Sequence, residues 1–545
     1  MADTASLRDS LPTTSAATTI VPGQPHEQLQ IEAESTPDEE IQYPTGVKLW
    51  LNLASMVMVS FLHGLDLTIV AVAVPSLTNQ FKTFENIGWY SAVYGLLLSA
   101  TCFFFGKLYT LFDLKRLYIT GVVVFEAGSL LCTVAPSSKV FILGRAVAGF
   151  GAAAISSGAG TIVPRCFPNE KRALMVGFLG FAQSFGLVGA PIIGGALVDA
   201  FTWRACFGIN LPLGAIAILI TAYGLEDPSP NPNLLLPLRE KIKRLDLVGT
   251  ALVVPSTVCL LMGLQWGGIK YGWSDWRIIL LFVVFAVMVA GFGYVQHQQQ
   301  EKALLPPRIL KNRTVLASAL FCACCNATLA VTEYYISIYF QGVRGYPATK
   351  SGLLGLPMLV GLAVALMFAA LAVTWIGYYT PFMFATSILA PIAAGLLTTL
   401  DLDDSPVKVA SLLGFLGIAI GLGIQSPITA TMTVLSPQEV SIGMGVVTFA
   451  TGLGSSLFVA ASSSLFQRRL NVEITKYAPG TNVTVFTTHG LSDIRKSIGP
   501  DRLRNVLLGY DQAVVQTLYL PLGLTLLTIV GSVFTEVRSV KKKQA

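Results

Sequence analysis

Runs of apolar residues long enough to cross a lipid bilayer recur about fourteen times along this chain. A transmembrane helix needs about 20 consecutive, mainly apolar residues. The composition agrees, because 53% of the 545 residues are hydrophobic and only 12% are charged, whereas soluble domains carry about 25% charged residues. The sequence therefore predicts an all-α polytopic membrane protein with about 14 transmembrane helices. These helices are expected at residues 48–76, 87–109, 117–135, 140–164, 173–197, 206–225, 245–264, 277–297, 315–340, 351–374, 379–400, 408–433, 443–466 and 516–537.

The distribution of Lys and Arg predicts which side of the membrane each loop faces. Cytoplasmic loops are enriched in these residues, and here every second loop from the second helix to the ninth is basic, which puts both chain ends inside. The net charge of +6 is then a topology signal, so no nucleic-acid partner is expected. The outer loops are predicted to be short, except for one at residues 468–515. The basic residues that set this orientation are Lys115, Arg116, Arg165, Lys171, Arg172, Arg239, Lys241, Lys243, Arg244, Lys302, Arg308, Lys311, Arg313 and Lys541 to Lys543.

The two ends of the chain differ from its apolar body. Residues 1–47 are acidic and rich in Ser, Thr and Pro, and they lack the apolar stretch needed to pack, so they are predicted to form a disordered cytoplasmic tail. No basic segment is followed by an early apolar run, so no cleaved signal peptide is expected. Residues 538–545 are predicted to be a short basic cytoplasmic tail.

Two residues of opposite charge interrupt the predicted helices. Asp66 lies in the first helix and Arg145 in the fourth. A charged side chain at the centre of a membrane helix costs about 2.5–3.5 kcal/mol on insertion scales, so such residues commonly have a partner or a function. We expect the two side chains to meet inside the bundle and to take part in proton or ion coupling. The alternative is a structural ion pair that orders two helices, since buried ion pairs are weak evidence for stability.

Two more titratable residues lie in predicted helices of the same region. Glu126 is in the middle of the third helix, where it has either a structural hydrogen bond or a coupling role. His63 precedes Asp66 by three residues and shares its helix face. It is expected either to tune the carboxylate and relay a proton or to be a packing histidine.

Three polar residues are candidates for a substrate cavity. Glu333 lies near the outer end of the ninth predicted helix, beside two tyrosines, and is expected at the interface or at the cavity mouth. Gln183 in the fifth helix and Asn210 in the sixth are expected to face a cavity or to cap a helix.

Cysteines and glycosylation sequences give further expectations. The eight cysteines lie in apolar runs or predicted cytoplasmic loops, so no disulfide is expected. Cys322, Cys324 and Cys325 lie close together, and they are interpreted as small packing residues in preference to a soft metal site. Asn482 begins the only Asn-x-Thr sequence that faces outward in this topology, so it is the expected glycan acceptor.

Short motifs lie in order on successive predicted helices. They are Leu65–Val70 followed by Pro75, Phe125–Leu130, Gly144–Gly151, Gly186–Gly195, Trp203 and Arg204 followed by Phe207–Gly214, and Gln265–Gly268. Together they resemble motifs of the major facilitator superfamily, and within it the fourteen-span drug:proton antiporter branch. The resemblance covers about residues 48–537 and is strongest to fungal toxin and multidrug efflux pumps.

The resemblance implies a fold and roles for single residues. It implies two six-helix bundles at residues 48–225 and 313–537, joined by a linker at 226–312 that holds an extra helix pair. It links Arg145 to proton transfer. Its antiporter motif is carried here by the fifth helix. The glycines are expected to let helices approach closely, and the proline is expected to bend the helix. This segment is then either a pivot for the motion of the helices or simply a tight helix crossing. The matching residues are Gly186, Gly189, Pro191, Gly194 and Gly195.

The loop between the second and third helices departs from the family pattern. The matching residues Gly106, Asp113, Lys115 and Arg116 are present, but Thr110 stands where the family has an acidic residue. The cytoplasmic charge lock of the family is therefore weakened, and Asp113 is expected to substitute in part.

The function implied by the resemblance is proton-coupled export of small amphipathic molecules, such as toxins, secondary metabolites or drugs, by alternating access. Proton-coupled import, for example of siderophores, is the alternative direction, and a membrane enzyme or a receptor is a less favoured class. No catalytic residue, cofactor or metal is expected. The protein is predicted to be a monomer in the cell membrane, with the vacuolar membrane as the alternative.

Overall fold

A computed structural model of the chain describes residues 46–81, 87–225, 232–268, 270–300, 303–436, 439–479 and 500–541. In this part of the chain, fourteen helical spans are long and apolar enough to cross a membrane. The helices, numbered in chain order, are α1 (Val47–Phe81), α2 (Ile87–Leu111), α3 (Leu114–Thr133), α4 (Ser138–Cys166), α5 (Asn169–Ala200), α6 (Ala205–Gly208), α7 (Asn210–Gly224), α8 (Leu238–Arg244), α9 (Leu247–Trp266), α10 (Trp276–Gln299), α11 (Pro307–Leu310), α12 (Arg313–Ile338), α13 (Ala348–Ile376), α14 (Thr380–Leu397), α15 (Pro406–Gly421), α16 (Ser426–Val434), α17 (Val440–Tyr477), α18 (Pro500–Thr517) and α19 (Tyr519–Phe534).

Local sequence signals set several helix ends. Asp113, Asp246 and Asn312 cap α3, α9 and α12, because each side chain accepts a hydrogen bond from a backbone N–H of the first turn. Gly377 ends α13 in the left-handed conformation, with φ of 89°, which a glycine adopts without steric cost. The short connection from Gly377 to α14 is thus an ordered turn, and it separates the spans predicted at 351–374 and 379–400.

The first and last sets of helices pack in the same pattern. In the first set α1 contacts α5 and α7, α2 contacts α4, and α3 contacts α4 and α7. In the last set α12 contacts α17 and α19, α13 contacts α15, and α14 contacts α15 and α19. The sets meet where α5 contacts α13 and where α2 contacts α17. We propose that these sets, called here the N-half and the C-half, correspond to the two expected bundles.

The extra helix pair, α9 and α10, packs on the side of the two halves. Its anchor is the buried carboxylate of Asp246, which accepts hydrogen bonds from the side chains of Gln296 and Gln299 and from the backbone N–H of Leu304. Most of α10 is exposed, including Val283 and Val287. An exposed apolar helix surface fits contact with lipid.

The structure corrects the prediction of a long outer loop at 468–515. Helix α17 continues to Tyr477 and α18 begins at Pro500, so the described parts of that loop are helical. These ends are amphipathic: Leu470 and Ile474 on α17 are buried, as are Val506 and Tyr510 on α18. Their polar faces hid them from a search for apolar runs.

Two expected single helices are also interrupted. The span expected at 408–433 is divided into α15 and α16 by residues 422–425, and the span expected at 206–225 begins with the short α6. Pro427 lies in the first turn of α16, where its missing N–H is tolerated, although it would break a continuous helix.

Candidate functional site

The central feature of the N-half is a buried ion pair between α1 and α4. Arg145 Nη1 lies 2.5 Å from Asp66 Oδ2, and both side chains are 1% exposed. The guanidinium also donates to the backbone oxygen of Asp66 at 3.2 Å and, through Nε, to that of Tyr90 at 3.0 Å. One planar donor group therefore holds α1, α2 and α4 together. The two charges singled out in the sequence do meet inside the bundle.

A buried amide group from α7 reaches the same carboxylate. Asn210, the first residue of α7, donates through Nδ2 to Asp66 Oδ1 at 3.4 Å and to Ser129 Oγ at 3.2 Å. Asn210 is 0% exposed. The expectation that it lines a cavity or caps a helix is therefore wrong for its side chain, which lies in the packed polar cluster around Asp66.

Tyr94 on α2 connects this cluster to His63. The Tyr94 hydroxyl lies 2.8 Å from His63 Nδ1, and the Arg145 guanidinium carbon lies 4.5 Å from the centre of the tyrosine ring. His63 is on the wall of the central cavity. A path of contacts thus runs from the cavity through His63 and Tyr94 to the ion pair. Sequence reasoning missed Tyr94, because a tyrosine in an apolar helix is not unusual.

Glu126 on α3 is a buried carboxyl that faces α7. Within the described part of the chain neither of its carboxyl oxygens has a hydrogen-bond partner. It lies against Gly214, where even a Cβ atom would overlap the carboxyl group. A buried charge without a partner is costly. The contacts therefore give no support to the structural hydrogen bond that was one of its two expected roles.

A cavity of about 650 Å³ lies between the two halves, within the size range of small-molecule sites. Both halves contribute to its wall. Gln183 on α5 and Glu333 on α12 line it, as sequence reasoning proposed, together with Asn326 and Gln425 of the C-half. Glu333 is exposed to this space.

The cavity is closed at the end that carries the basic loops. There Gly177 on α5 lies so close to Ala370 on α13 that a Cβ atom would overlap the alanine side chain. Arg172 donates to the backbone oxygen of Met432 in the C-half at 3.3 Å and to that of Pro164 at 2.7 Å. At the other ends of α5 and α13, Gly195 and Gly355 face open space. We propose that this arrangement is the outward-facing state, with the basic loops inside the cell.

The glycines of the fifth-helix motif do not share one role. A Cβ atom at Gly186 would overlap the backbone of Phe61 and Leu65 on α1, and one at Gly194 would lie 3.0 Å from Ile69. These two glycines are at the contact of α1 with α5. Gly189 has only Ile193 of its own helix nearby, and Gly195 has open space. The expectation of close packing at Gly189 and Gly195 is therefore wrong, because both face away from the contact between α1 and α5. The proline of the motif, Pro191, lies inside α5.

The loop motif residues do not form a charge lock through Asp113. Its carboxylate accepts from the backbone N–H of Arg116 at 2.8 Å and caps α3, while Lys115 belongs to the first turn of that helix. The expectation that Asp113 substitutes for the missing acid finds no contact to support it among the described residues. Gly106 contributes by close packing, since its Cα faces the backbone oxygen of Ser441 on α17.

The expected glycan acceptor, Asn482, lies outside the described residues. Two other Asn-x-Thr sequences begin at Asn312 and Asn326. The side chain of Asn312 accepts from the backbone N–H of Thr314 at 3.0 Å and caps α12 at the basic-loop end, and Asn326 lines the cavity.

Fourteen membrane-length helical spans in the described part of the chain, and a central cavity with a buried ion pair beside it, define a multi-pass membrane transporter. The chain belongs to the Major Facilitator Superfamily, whose sequence profile matches residues 56–459. It is 38% identical over 506 residues to the "MFS-type efflux pump MFS1" of Trichophyton rubrum, covering 93% of this chain and 94% of the relative. It is 37% identical over 508 residues to the "Aspyridones efflux protein" of Neocamarosporium betae, covering 92% and 89%.

The fold is also found in solved structures. The proton:xylose symporter XylE matches with a TM-score of 0.59 at 12% sequence identity, covering 91% of this chain and 97% of that structure. At this identity the likeness concerns the fold alone.

Proposed function

We propose that this protein exports small amphipathic molecules across the cell membrane in exchange for protons, by alternating access between its two halves. The observation that carries the proposal is the buried Asp66–Arg145 pair, which is one tyrosine away from a histidine on the cavity wall. An ionisable residue at membrane depth is a functional-site hypothesis by default.

The coupling step follows from the contacts of the pair. In this proposal Asp66 takes up the proton, and Tyr94 couples the cavity wall to the pair, because its hydroxyl contacts His63 and its ring contacts Arg145. Protonation removes the negative charge of Asp66, and the Arg145 guanidinium then loses its strongest partner while it keeps its bonds to two backbone oxygens. Because these bonds join α1, α2 and α4, the change in charge alters how these helices pack. Glu126 has no hydrogen-bond partner among the described residues and is the second proposed proton-binding group.

The conformational step opens the contact at the cytoplasmic end. The inward-facing state requires Gly177 to leave Ala370 and Arg172 to release the oxygen of Met432. Such rocking of two halves around a central site is how transporters of this kind alternate access. Gly186 and Gly194 keep α1 and α5 together as one body during that motion.

The direction and energy source have separate support. The relatives named above are efflux pumps, and the sequence holds no Gly-x-x-x-x-Gly-Lys-Ser/Thr nucleotide-binding loop. An ion gradient is therefore the proposed drive, and a monomer is the proposed unit.

The test is accumulation of fluorescent hydrophobic compounds in a drug-sensitive cell that expresses the protein. Expression should lower accumulation of at least one compound, and a protonophore should abolish the difference. Efflux that survives collapse of the gradient but stops on depletion of ATP would overturn the proposed drive. Proton-dependent accumulation of an iron chelate would overturn the direction.

A further inference from the structure

The wall of the central cavity has an unusual balance of charge. Among its described residues, Glu333 has the only carboxyl group and His63 the only imidazole, and none is Lys or Arg. The rest of the wall consists of glycine, of aliphatic, methionine and cysteine side chains, and of side chains with hydroxyl or amide groups. The cavity therefore offers one carboxylate and no fixed positive charge to a molecule inside it.

Glu333 is free to act on such a molecule. It is exposed to the cavity, and no ion pair or side-chain hydrogen bond engages it in the part of the chain that the structure describes. By contrast, Asp66 is sealed by Arg145, and Glu439 and Glu536 pair with arginines. Glu333 is the carboxylate of the cavity that lacks a partner within the protein.

Its position on α12 puts it toward the outer side. Glu333 follows Arg313, the first residue of α12, by 20 positions, which is about 30 Å of helix at 1.5 Å per residue. Asn326 lies seven positions earlier and also lines the cavity, as expected for residues two turns apart on one helix face. A bound molecule can thus contact the amide and the carboxylate together.

We propose, on the basis of the export function proposed above, that the cavity selects amphipathic organic cations, and that Glu333 is the residue that recognises their basic nitrogen. A protonated amine forms a charge-assisted hydrogen bond with an unpaired carboxylate, whereas an anion is repelled. The described wall has no Phe, Tyr or Trp, so a cation–π contact does not provide an alternative. The aliphatic and hydroxyl groups hold the remainder of the molecule.

The experiment compares two compounds of matched shape in proteoliposomes with an imposed proton gradient. One is a long-chain tertiary amine and the other is its neutral amide. Wild-type protein should transport the amine with an efficiency about tenfold higher, which corresponds to about 1.4 kcal/mol, because only the amine makes a hydrogen bond to the charged group. Glu333→Gln should lose this preference while it still transports the neutral amide, and Glu333→Asp should retain part of it.

The matched control is Glu240→Gln, which removes an exposed carboxylate from α8 and should leave both rates unchanged. An amine-to-amide ratio that is the same in wild type and Glu333→Gln would overturn the assignment of Glu333. A neutral amide transported as well as the amine by wild type would overturn the cation preference while the export function stood. If the wild-type protein transported no compound under the proton gradient, neither the amine nor the amide nor any other, the export function itself would be refuted.

Discussion

The hydroxyl of Tyr94 lies 2.8 Å from Nδ1 of His63, which places a buried tyrosine between the substrate cavity and the Asp66–Arg145 ion pair. The same ring packs under the Arg145 guanidinium. Tyr94 thus touches both His63 on the cavity wall and the charged pair. Through this side chain, a change in charge or position at the cavity wall is transmitted to the Asp66–Arg145 ion pair.

Tyr94→Phe should lower proton-driven transport about tenfold, because it leaves the buried His63 nitrogen without its partner, at a cost of about 1–3 kcal/mol. The ring contact with Arg145 is retained. Tyr109→Phe is the control, since it removes a buried hydroxyl that donates to the backbone oxygen of Ala154, away from the ion pair. The measurement is the transport rate in proteoliposomes. Equal rates for the two variants would show that Tyr94 does not couple the cavity wall to the ion pair.

Arg145→Lys should restore only part of the transport that Arg145→Ala abolishes. Lysine keeps the charge but lacks the planar fork that serves Asp66 and the backbone oxygen of Tyr90 together. Arg145→Ala leaves a buried unpaired carboxylate, which costs about 3–5 kcal/mol, so its melting temperature in detergent should fall as well. Full transport by Arg145→Ala would show that Arg145 has only a packing role.

The fifth-helix glycines should separate into two groups on substitution by alanine. Gly186→Ala should reduce both surface expression and export, because its Cβ would overlap the backbone of α1 and overpacking costs about 1–3 kcal/mol. Gly195→Ala should behave like wild type, since its Cβ meets open space. Quantitative immunoblotting of membranes gives the expression level. The same loss in both variants would show that the motif acts as a unit.

Gly177→Val should shift the protein away from the outward-facing state, because the added side chain cannot fit against Ala370. Spin labels at Asn169→Cys and Trp375→Cys, near the cytoplasmic ends of α5 and α13, should report a longer distance in this variant than in the Gly177 protein. Gly352→Val, at an open position of α13, is the control. An unchanged distance in Gly177→Val would mean that this contact does not close the cavity.

The sequence predicts the fourteen spans because hydrophobic length alone determines which segments can cross a bilayer. It also singles out Asp66 and Arg145, since a charge in an apolar run is conspicuous. Tyr94 escapes, and Asn210 is assigned to a cavity or a helix cap, because polar uncharged residues are common in membrane helices and their partners come from other helices. The helical ends of α17 and α18 were read as loop, since half of each surface is polar. The different contacts of Gly186 and Gly195 depend on helix rotation, which spacing within one motif does not reveal.

The most direct test of the central claim is proton flux coupled to substrate movement in proteoliposomes that contain wild-type protein or Asp66→Asn. The variant keeps the side-chain shape but cannot change charge. Substrate added to one side should drive proton movement in the opposite direction in wild type, measured with an internal pH dye. In Asp66→Asn the protein should still bind substrate and reach the membrane, but neither substrate nor protons should be driven against a gradient. Substrate-driven proton flux of wild-type size in Asp66→Asn would contradict the account.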